Sequence, residues 1–588
     1  MRARRLSRAL AVCGLVVLAG PEPRAPRAED PLPPAMLDVC RAPAPSPLLL
    51  ARSETRPFTA EVIPAGESAA GVPPLFADLG DLHFPVTTRS PEAQAYFDQG
   101  VRLAFAFNHA EARRAFVAAQ GLDPECAMCF WGEALVLGPN INAPMFPEAV
   151  APAHTAVQRA QALAAAGERE QALIAALARR YSADPAADRA ALDAAWADAI
   201  AVVAARFPDD DTIQVLYAES LMDLSPWDYW EADGTRPKGR GADMLAALER
   251  VLARNPDHPG AIHLYIHAVE ASSDPERALP HARRLAALMP GAGHIVHMPA
   301  HIYYRVGLYR ESLEANIDAV AADERYFVRS ESDPFYRNGY YPHNLHFLMA
   351  SAQMGGDAAT ALETAAKLDA SIDLDVVRVA AALQPVKASA YFTHTQFSSP
   401  ETILALPDPG DEFVLLKAMW HYARAVALSA TQRTDAAQRE IAALGAIEAT
   451  ADFAPLHASG VPAREVVQTA RLVATGRLAD ARGKLREAVA AYREAVAIQD
   501  RLAYMEPPYW YYPVRQSLGA ALLRLGELDA ARTAFEQSLQ RTPNNGWALF
   551  GLQQVAQQRG DADAARELGR QLDRAWFGDR SGLDLARL

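Results

Sequence analysis

The chain has 588 residues, of which 51% are apolar, and a formal charge of −14. This length exceeds what one compact core usually accommodates, so several domains or a repeat array are expected. The negative charge argues against nucleic-acid binding, because phosphate neutralisation requires clustered Lys and Arg. Beyond the N-terminus, no stretch approaches the ~18 consecutive apolar residues that a membrane span needs.

The N-terminus has the pattern of a secretory signal peptide. Four Arg precede a short apolar run over residues 9–19, which ends at a suitable cleavage site. An uncleaved anchor helix is the alternative, although the run is short for a span. Residues 20–85 read as a Pro/Ala-rich leader. The sequence therefore predicts removal of residues 1–19, a periplasmic or secreted location, and no membrane span in the mature chain.

Two stretches follow the 34-residue helix–turn–helix pattern that has a large residue at position 4, a small one at 8, Ala at 20 and 27, an aromatic at 24 and Pro at 32. Counted from Ala93, all six positions match. They are Tyr96, Gly100, Ala112, Phe116, Ala119 and Pro124. Counted from Tyr512, position 4 is Arg515 and position 27 is Ser538, which depart from the pattern. The matching positions are Gly519, Ala531, Phe535 and Pro543.

On these motifs the chain resembles the tetratricopeptide-repeat (TPR) superfamily, over roughly residues 90–360 and 470–580. The resemblance implies an all-α helical-repeat solenoid with a concave groove that binds a protein partner, a peptide or a small ligand. It carries no catalytic residues. Three further segments resemble those of exported bacterial TPR proteins. They span residues 126–132, 293–301 and 506–510.

The expected organisation has three parts after the leader. We predict an N-terminal TPR array over residues 86–358, a helical middle region over 359–470 and a C-terminal TPR array over 471–580. Two long connections interrupt the pattern, at 227–241 and 326–341. Connections of this length are often functional, and the alternative is that they cover the ends of adjacent helices.

Histidines are concentrated in the N-terminal array: nine of the fifteen lie between His258 and His346. Seven of these nine follow the 34-residue spacing. They are His263, His267, His294, His297, His301, His343 and His346. In TPR proteins, positions 2, 5, 9 and 12 of the first helix face the groove, and all seven fall on positions 2, 5 or 9. Because stacked repeats place equivalent residues side by side, we expect one imidazole-rich patch.

Neutral imidazoles with one carboxylate suit zinc, copper, iron or nickel rather than calcium or magnesium. The predicted transition-metal ligands are His263, His267, His297 and His301. The residues expected to assist them are His294, His343, His346 and Glu270. Only a subset can reach one ion at 2.0–2.1 Å, so the rest could orient ligands, form a second metal site or carry protons. Metal-free contact with a peptide or an organic anion, and simple packing, are the alternatives. Pro299 weakens the helical register, since it kinks or restarts a helix.

These residues favour a groove-binding protein with a metal site over two other classes of protein. A metalloenzyme would use an open coordination position for water or oxygen, with Glu270 or Tyr304 as acid or base. A metal-free scaffold for envelope assembly would use the groove alone. No His-Glu-x-x-His, phosphate-loop, dinucleotide or Gly-x-Ser-x-Gly pattern occurs in the sequence.

Two smaller features complete the candidates. Cys126 and Cys129 are spaced as a disulfide pair, and Phe130 excludes the haem-attachment pattern. A structural disulfide or packing is favoured over redox catalysis. Trp510 and Tyr511 belong to a dense aromatic segment that could bind a peptide or cap the groove, with packing between repeats as the alternative.

Overall fold

The computed structural model describes residues 72–163, 167–330 and 333–587. The predicted signal peptide and residues 20–71 of the predicted leader lie outside these residues. Within the described ranges all regular secondary structure is helical, and β-pairing is limited to two isolated bridges. No helix of the described chain combines the length and apolarity needed to cross a membrane.

The helices are numbered in chain order. The first fourteen are α1 (Pro91–Phe105), α2 (His109–Leu122), α3 (Ala127–Leu137), α4 (Val150–Ala162), α5 (Glu168–Leu177), α6 (Arg189–Arg206), α7 (Asp211–Met222), α8 (Gly241–Arg254), α9 (Pro259–Val269), α10 (Leu279–Leu288), α11 (Gly293–His297), α12 (Pro299–Arg305), α13 (Tyr309–Arg329) and α14 (Tyr341–Gly355). The others are α15 (Ala358–Ser371), α16 (Leu374–Val379), α17 (Leu383–Phe397), α18 (Pro400–Leu404), α19 (Val414–Ala430), α20 (Thr434–Thr450), α21 (Ala454–Ala458), α22 (Ala463–Ala481), α23 (Leu485–Gln499), α24 (Val514–Arg524), α25 (Leu528–Arg541), α26 (Gly546–Gln558) and α27 (Ala562–Ala575).

The repeat pattern has a direct packing reason. A Cβ atom on Gly100 of α1 would lie 2.5 Å from the ring of Phe116 of α2, and one on Gly132 of α3 would lie 2.4 Å from the same ring. Phe116 therefore fills the space between three successive helices, which requires small residues on both sides. Phe535 of α25 occupies the same position between Gly519 and Gly551. The expected all-α, TPR-like helical-repeat solenoid is confirmed.

The buried apolar side chains form two main clusters. One runs from Phe76 to Tyr340 and the other from Leu313 to Trp576. The second cluster takes in most of the predicted middle region together with the C-terminal repeats, and α13 contributes to both. Near the predicted metal site, helices α9 and α11 pack on the first cluster and α14 packs on the second.

Pro299 interrupts the helix, because its ring clashes with the preceding turn and it has no backbone N–H to donate. Helix α11 ends at His297 and α12 begins at Pro299, with Met298 between them. His294 and His297 thus lie in a short helix of their own. A π-helical turn, Tyr336–Tyr340, closes the long connection before α14.

Candidate metal centre

Six of the seven predicted histidines come together as two groups of three. In each group, one nitrogen from every ring lies within 4.8 Å of the others. Site 1 consists of His263, His267 and His294, and site 2 consists of His297, His301 and His343. Five of these rings are at most 2% exposed, and the ring of His343 is half-buried. This grouping differs from the predicted one, which placed two residues of each site around a single ion.

The two sites are adjacent. The ring centroids of His267 and His301 are 5.5 Å apart, and those of His294 and His297 are 5.9 Å apart. Four short or medium helices, α9, α11, α12 and α14, contribute the six rings. The six imidazoles therefore form one continuous cluster, which we call the histidine centre.

In site 2, hydrogen bonds determine which ring nitrogen carries the proton. Nδ1 of His297 lies 2.6 Å from Oδ1 of Asn316, and the amide of Asn316 donates to Ser312 O, so Oδ1 must accept. Nδ1 of His301 lies 2.6 Å from Oε2 of Glu270. Both Nδ1 atoms therefore donate, so in the neutral rings both Nε2 atoms carry lone pairs. These Nε2 atoms are 2.8 Å apart. The facing lone pairs of two neutral rings repel each other unless a proton or a metal ion lies between them.

In site 1 the Nδ1 atoms of two rings also donate hydrogen bonds. Nδ1 of His263 donates to Phe105 O at 2.6 Å, and Nδ1 of His267 donates to Oε1 of Glu270 at 2.8 Å. Nε2 of His294 lies 3.1 Å from Nε2 of His263. Nε2 of His267 and Nδ1 of His294 are buried and have no hydrogen-bond partner among the described residues. Buried polar atoms normally have partners, so these two nitrogens are available to an ion, a water molecule or another ligand.

Glu270 connects the two sites. Its Oε1 accepts from His267 in site 1 and its Oε2 accepts from His301 in site 2, while Tyr504 donates its hydroxyl to Oε2 at 2.9 Å. Burial by itself would raise the pKa of Glu270, but the neighbouring His301 and His267 outweigh it and hold that pKa below its usual range. Both oxygens are engaged on Nδ1–H groups. Glu270 thus lies where it orients the rings, and its prediction as a residue of the metal site stays a prediction.

Burial favours the neutral form of five imidazoles of the histidine centre. Burial lowers the pKa of His263, His294 and His297 well below the usual value, and the neighbouring imidazoles lower it further. Burial also lowers the pKa of His267 and of His343. Neutral imidazole is the form that binds a metal ion.

An aromatic shell encloses the histidine centre. Phe107 packs on His263 with ring centroids 4.4 Å apart, Trp227 on His267 at 5.0 Å, Tyr340 on His294 at 4.7 Å and Phe347 on His301 at 4.5 Å. Trp227 and Tyr340 come from the two long connections, which therefore do more than cover helix ends.

Two shell residues have strained backbones. Phe107 has φ +55° and Trp227 has φ +66°, a left-handed conformation that costs a residue with a side chain about 1–2 kcal/mol. Such strain persists where the surrounding structure demands it, and it is concentrated at functional sites. Here it turns both rings onto the histidines.

Two glycines allow the helices to approach closely enough to build the centre. A Cβ on Gly260 of α9 would lie 2.7 Å from the ring of Phe105, whose carbonyl oxygen holds His263. A Cβ on Gly293 of α11 would lie 1.9 Å from Oδ1 of Asp323. Asp323 is buried, and burial raises its pKa to about 7 while Tyr336 and Asn344 donate to it.

Gly293→Ala is expected to destabilise the fold by about 1–3 kcal/mol, because the added methyl group must displace Asp323 or α11. Since His294 and His297 lie on α11, weaker metal binding should accompany the loss. Urea denaturation and metal titration would measure the two effects. Gly121→Ala is the matched control, because no heavy atom lies within 4 Å of its added Cβ. That helical substitution should be neutral or stabilise by up to about 1 kcal/mol. Equal behaviour of the two variants would contradict the packing argument.

The other predicted residues lie outside the two sites. His346 is half-buried on α14, and burial lowers its pKa to about 4. Tyr304 packs on Phe347, which covers site 2. Trp510 is 1% exposed and packs against Phe392 and Tyr422, which fits the packing role expected as the alternative to ligand contact.

Two further predicted residues belong to other features of the chain. Tyr511 stacks on Phe392 and also lines a cavity of about 410 Å³ in the C-terminal half. Cys126 and Cys129 are joined in a disulfide at the start of α3, with an S–S distance of 2.05 Å.

Sequence reasoning missed the partners that complete the centre. Asn316 and the carbonyl of Phe105 orient histidines, and Phe107 and Tyr504 contact the rings or Glu270. Phe107 stands two residues before His109 at a repeat turn and carried no sequence signal of its own. Tyr504 begins the aromatic segment that the sequence did single out, but its contact with Glu270 spans 234 positions of the chain.

No protein-family model matches the sequence, and no match was found among curated proteins. Similar solved structures include a human IFIT1 dimer with PPP-AAAA, at 12% identity over 83% of this chain and 91% of that chain, with a TM-score of 0.29. The APC/C hetero-tetramer Cut9–Hcn1 has 12% identity over 84% and 75%, with a TM-score of 0.27. Yeast Tom70 has 10% identity over 82% and 93%, with a TM-score of 0.26. These values carry no functional argument, and the fold assignment rests on the helix packing itself.

Proposed function

We propose that this chain is an exported TPR-like protein that binds two transition-metal ions, one in each three-histidine site. The observation that carries the proposal is the grouping of six buried or half-buried imidazoles in two sets of three, with the Nε2 atoms of His297 and His301 only 2.8 Å apart and the Nδ1 atom of each ring engaged by an acceptor. The unpartnered nitrogens of His267 and His294 support a second ion in site 1. A buried arrangement of this kind is unfavourable without cations and favourable with them.

The spacing of the donors fits a first-row transition metal. Two nitrogen ligands of one tetrahedral ion at 2.0–2.1 Å lie about 3.3 Å apart. The corresponding separations are 3.1 Å for His263 and His294 and 3.4 Å for His301 and His343, while His297 and His301 are closer, at 2.8 Å. Three imidazoles per ion leave one coordination position open, as in catalytic rather than structural metal sites.

Elemental analysis of the purified mature protein tests the proposal. We expect about two equivalents of zinc, copper or iron per chain, or uptake of two equivalents on titration. His267→Ala should retain one ion because it removes a ligand of site 1 alone, and His343→Ala should retain one ion because it removes a ligand of site 2 alone. The double variant should bind neither ion.

His346→Ala is the matched control, since His346 lies on the same helix as His343 but outside both sites. It should retain two ions. Absence of metal in every preparation, with no uptake on titration, would contradict the proposal. Loss of all metal in either single variant would show that the six histidines form one metal site and not two. Export itself is tested by N-terminal sequencing of the protein from its native host, with the first residue expected at position 20.

A second candidate function is supported by the C-terminal cavity. The TPR-like helical repeat is a scaffold suited to protein interaction. The cavity of about 410 Å³ is lined by aromatic and cationic side chains, which suit a peptide segment. Among them are Tyr511, Tyr512, Trp547 and Arg524.

Photo-crosslinking tests this second function. A crosslinking amino acid in place of Tyr511 should yield a peptide of another protein, whereas one in place of the exposed Arg566 should not. Products confined to this chain's own residues, such as Arg587 beside the cavity, would contradict it.

A further inference from the structure

We propose that the histidine centre holds a pair of copper ions in the Cu(I) state and binds dioxygen between them. This inference rests on the proposed function, because it requires both sites to be filled. It goes further by naming the metal, its oxidation state and the small molecule that the pair takes up. Four features of the centre carry it: its donor set, its charge, its open positions and its enclosure.

The donor set favours copper over other paired metals. Both candidate sites consist of imidazoles alone. Paired iron and manganese ions in helical proteins are typically held by several carboxylates. Here the carboxylate of Glu270 has both oxygens on Nδ1 atoms, on the side of the rings away from the facing Nε2 atoms. Imidazole suits copper, as it suits zinc, and of these two metals only copper changes oxidation state.

The charge of the buried centre favours monovalent ions. Two Cu(I) ions with ionised Glu270 leave one net positive charge, whereas two divalent ions would leave three. The guanidinium of Arg305 donates to Glu270 O at 2.7 Å and adds a further positive charge nearby. Uncompensated charge is costly in a site whose rings are almost fully buried.

The open positions belong to adjacent sites. Cu(I) is a filled-shell ion with no geometric preference from its d electrons, and three imidazoles satisfy it. Cu(II) prefers a tetragonal set with more ligands. Oxidation of the pair therefore requires an added ligand. The adjacency of the two sites allows one diatomic molecule to supply a donor atom to each ion.

The reaction balances within the centre. Each Cu(I) gives one electron to dioxygen, which becomes a bound peroxide dianion between two Cu(II) ions. No proton and no external reductant is needed, and return of both electrons releases dioxygen. The net charge of the centre is unchanged, because two added positive charges on copper match two negative charges on peroxide. A buried site of low dielectric constant tolerates a step that keeps its net charge better than a step that changes its net charge.

The enclosure selects a small ligand. Phe107, Tyr340 and Phe347 cover the rings, and the half-buried His343 and the partly exposed Trp227 lie at the outer side. A larger organic molecule would have to displace this shell, whereas a diatomic molecule needs only a narrow path. Bulk water is kept away from the copper pair for the same reason.

The test loads the full mature protein with two equivalents of Cu(I) under argon and then admits dioxygen. We expect uptake of one molecule of dioxygen per pair of copper ions, a new peroxide-to-copper charge-transfer absorption and no paramagnetic resonance signal, because the two Cu(II) spins couple. The absorption should fade on return to argon. The zinc-loaded protein should take up no dioxygen.

Variants and other outcomes separate this inference from the proposed function. His343→Ala should keep one copper and lose at least tenfold in dioxygen uptake, and its oxidised ion should give an uncoupled resonance signal. His346→Ala should behave as the unmodified protein. Two bound copper ions without dioxygen uptake, or with two independent Cu(II) signals, would overturn the dioxygen inference and leave the two-metal proposal standing. Failure to bind two equivalents of zinc or copper would overturn the proposed function itself.

Discussion

Glu270→Ala is expected to weaken metal binding at both sites at once, by tenfold to a hundredfold at each. The Glu270 carboxylate accepts a hydrogen bond from Nδ1–H of His267 and another from Nδ1–H of His301. These bonds fix the orientation of both rings and make each Nε2 a better electron-pair donor to a metal ion. Without the carboxylate, both rings can rotate or exchange tautomers. Isothermal titration with zinc or Cu(I) would measure the two affinities.

The substitution Glu270→Gln is expected to separate the effects on the two sites. An amide offers one acceptor oxygen and one NH₂ donor, so it can serve one Nδ1–H but opposes the other. We expect one site to retain near-normal affinity and the other to lose it. Glu276→Ala is the matched control, because Glu276 is exposed on the segment that follows α9. Unchanged affinity at both sites in Glu270→Ala would show that the carboxylate does not orient the ligands.

Metal removal is expected to loosen the histidine centre while leaving the distant repeats unchanged. A ligand present at a thousandfold excess over its Kd stabilises the state that binds it by about 4 kcal/mol. Amide exchange in α9, α11, α12 and α14 should therefore speed up by about a thousandfold when a chelator replaces saturating metal.

The pattern of exchange provides the control. In a repeat protein each unit contacts its neighbours, so stabilisation is local rather than global. Helices α20 and α22 contribute no residue to the two histidine sites and should exchange at the same rate with and without metal. A uniform change along the whole chain, or no change in α9 and α11, would contradict two metal ions held at the histidine centre.

The site chemistry was only partly accessible from the sequence. The 34-residue spacing singled out all seven histidines, and six of them lie in the two sites. The spacing could not divide them, since it treats α11 and α12 as one helix. Pro299 separates those helices, so His297 and His301 share a site across the break while His294 joins His263.

The role of Glu270 shows a similar limit. Its place at the C-cap of α9, three residues after His267, indicated proximity to the histidines. The role of the Glu270 carboxylate depends on which ring atoms it contacts. It contacts the Nδ1 atoms of two rings that lie on different helices. Residue type and spacing give proximity along one helix, but the direction of a side chain between helices depends on how the helices pack.

The fold was determined by the sequence to a large degree. Small residues at Gly100 and Gly132 and the aromatic Phe116 are local requirements of close helix packing, and they recur with a fixed period. Such short-range periodic constraints can be recognised directly in the amino-acid sequence. The tertiary structure alone decided the partition of the histidines, the orienting contacts from Asn316 and Tyr504, and the aromatic shell. Those contacts join parts of the chain that no repeat relates, so only the packing of distant helices could bring them together.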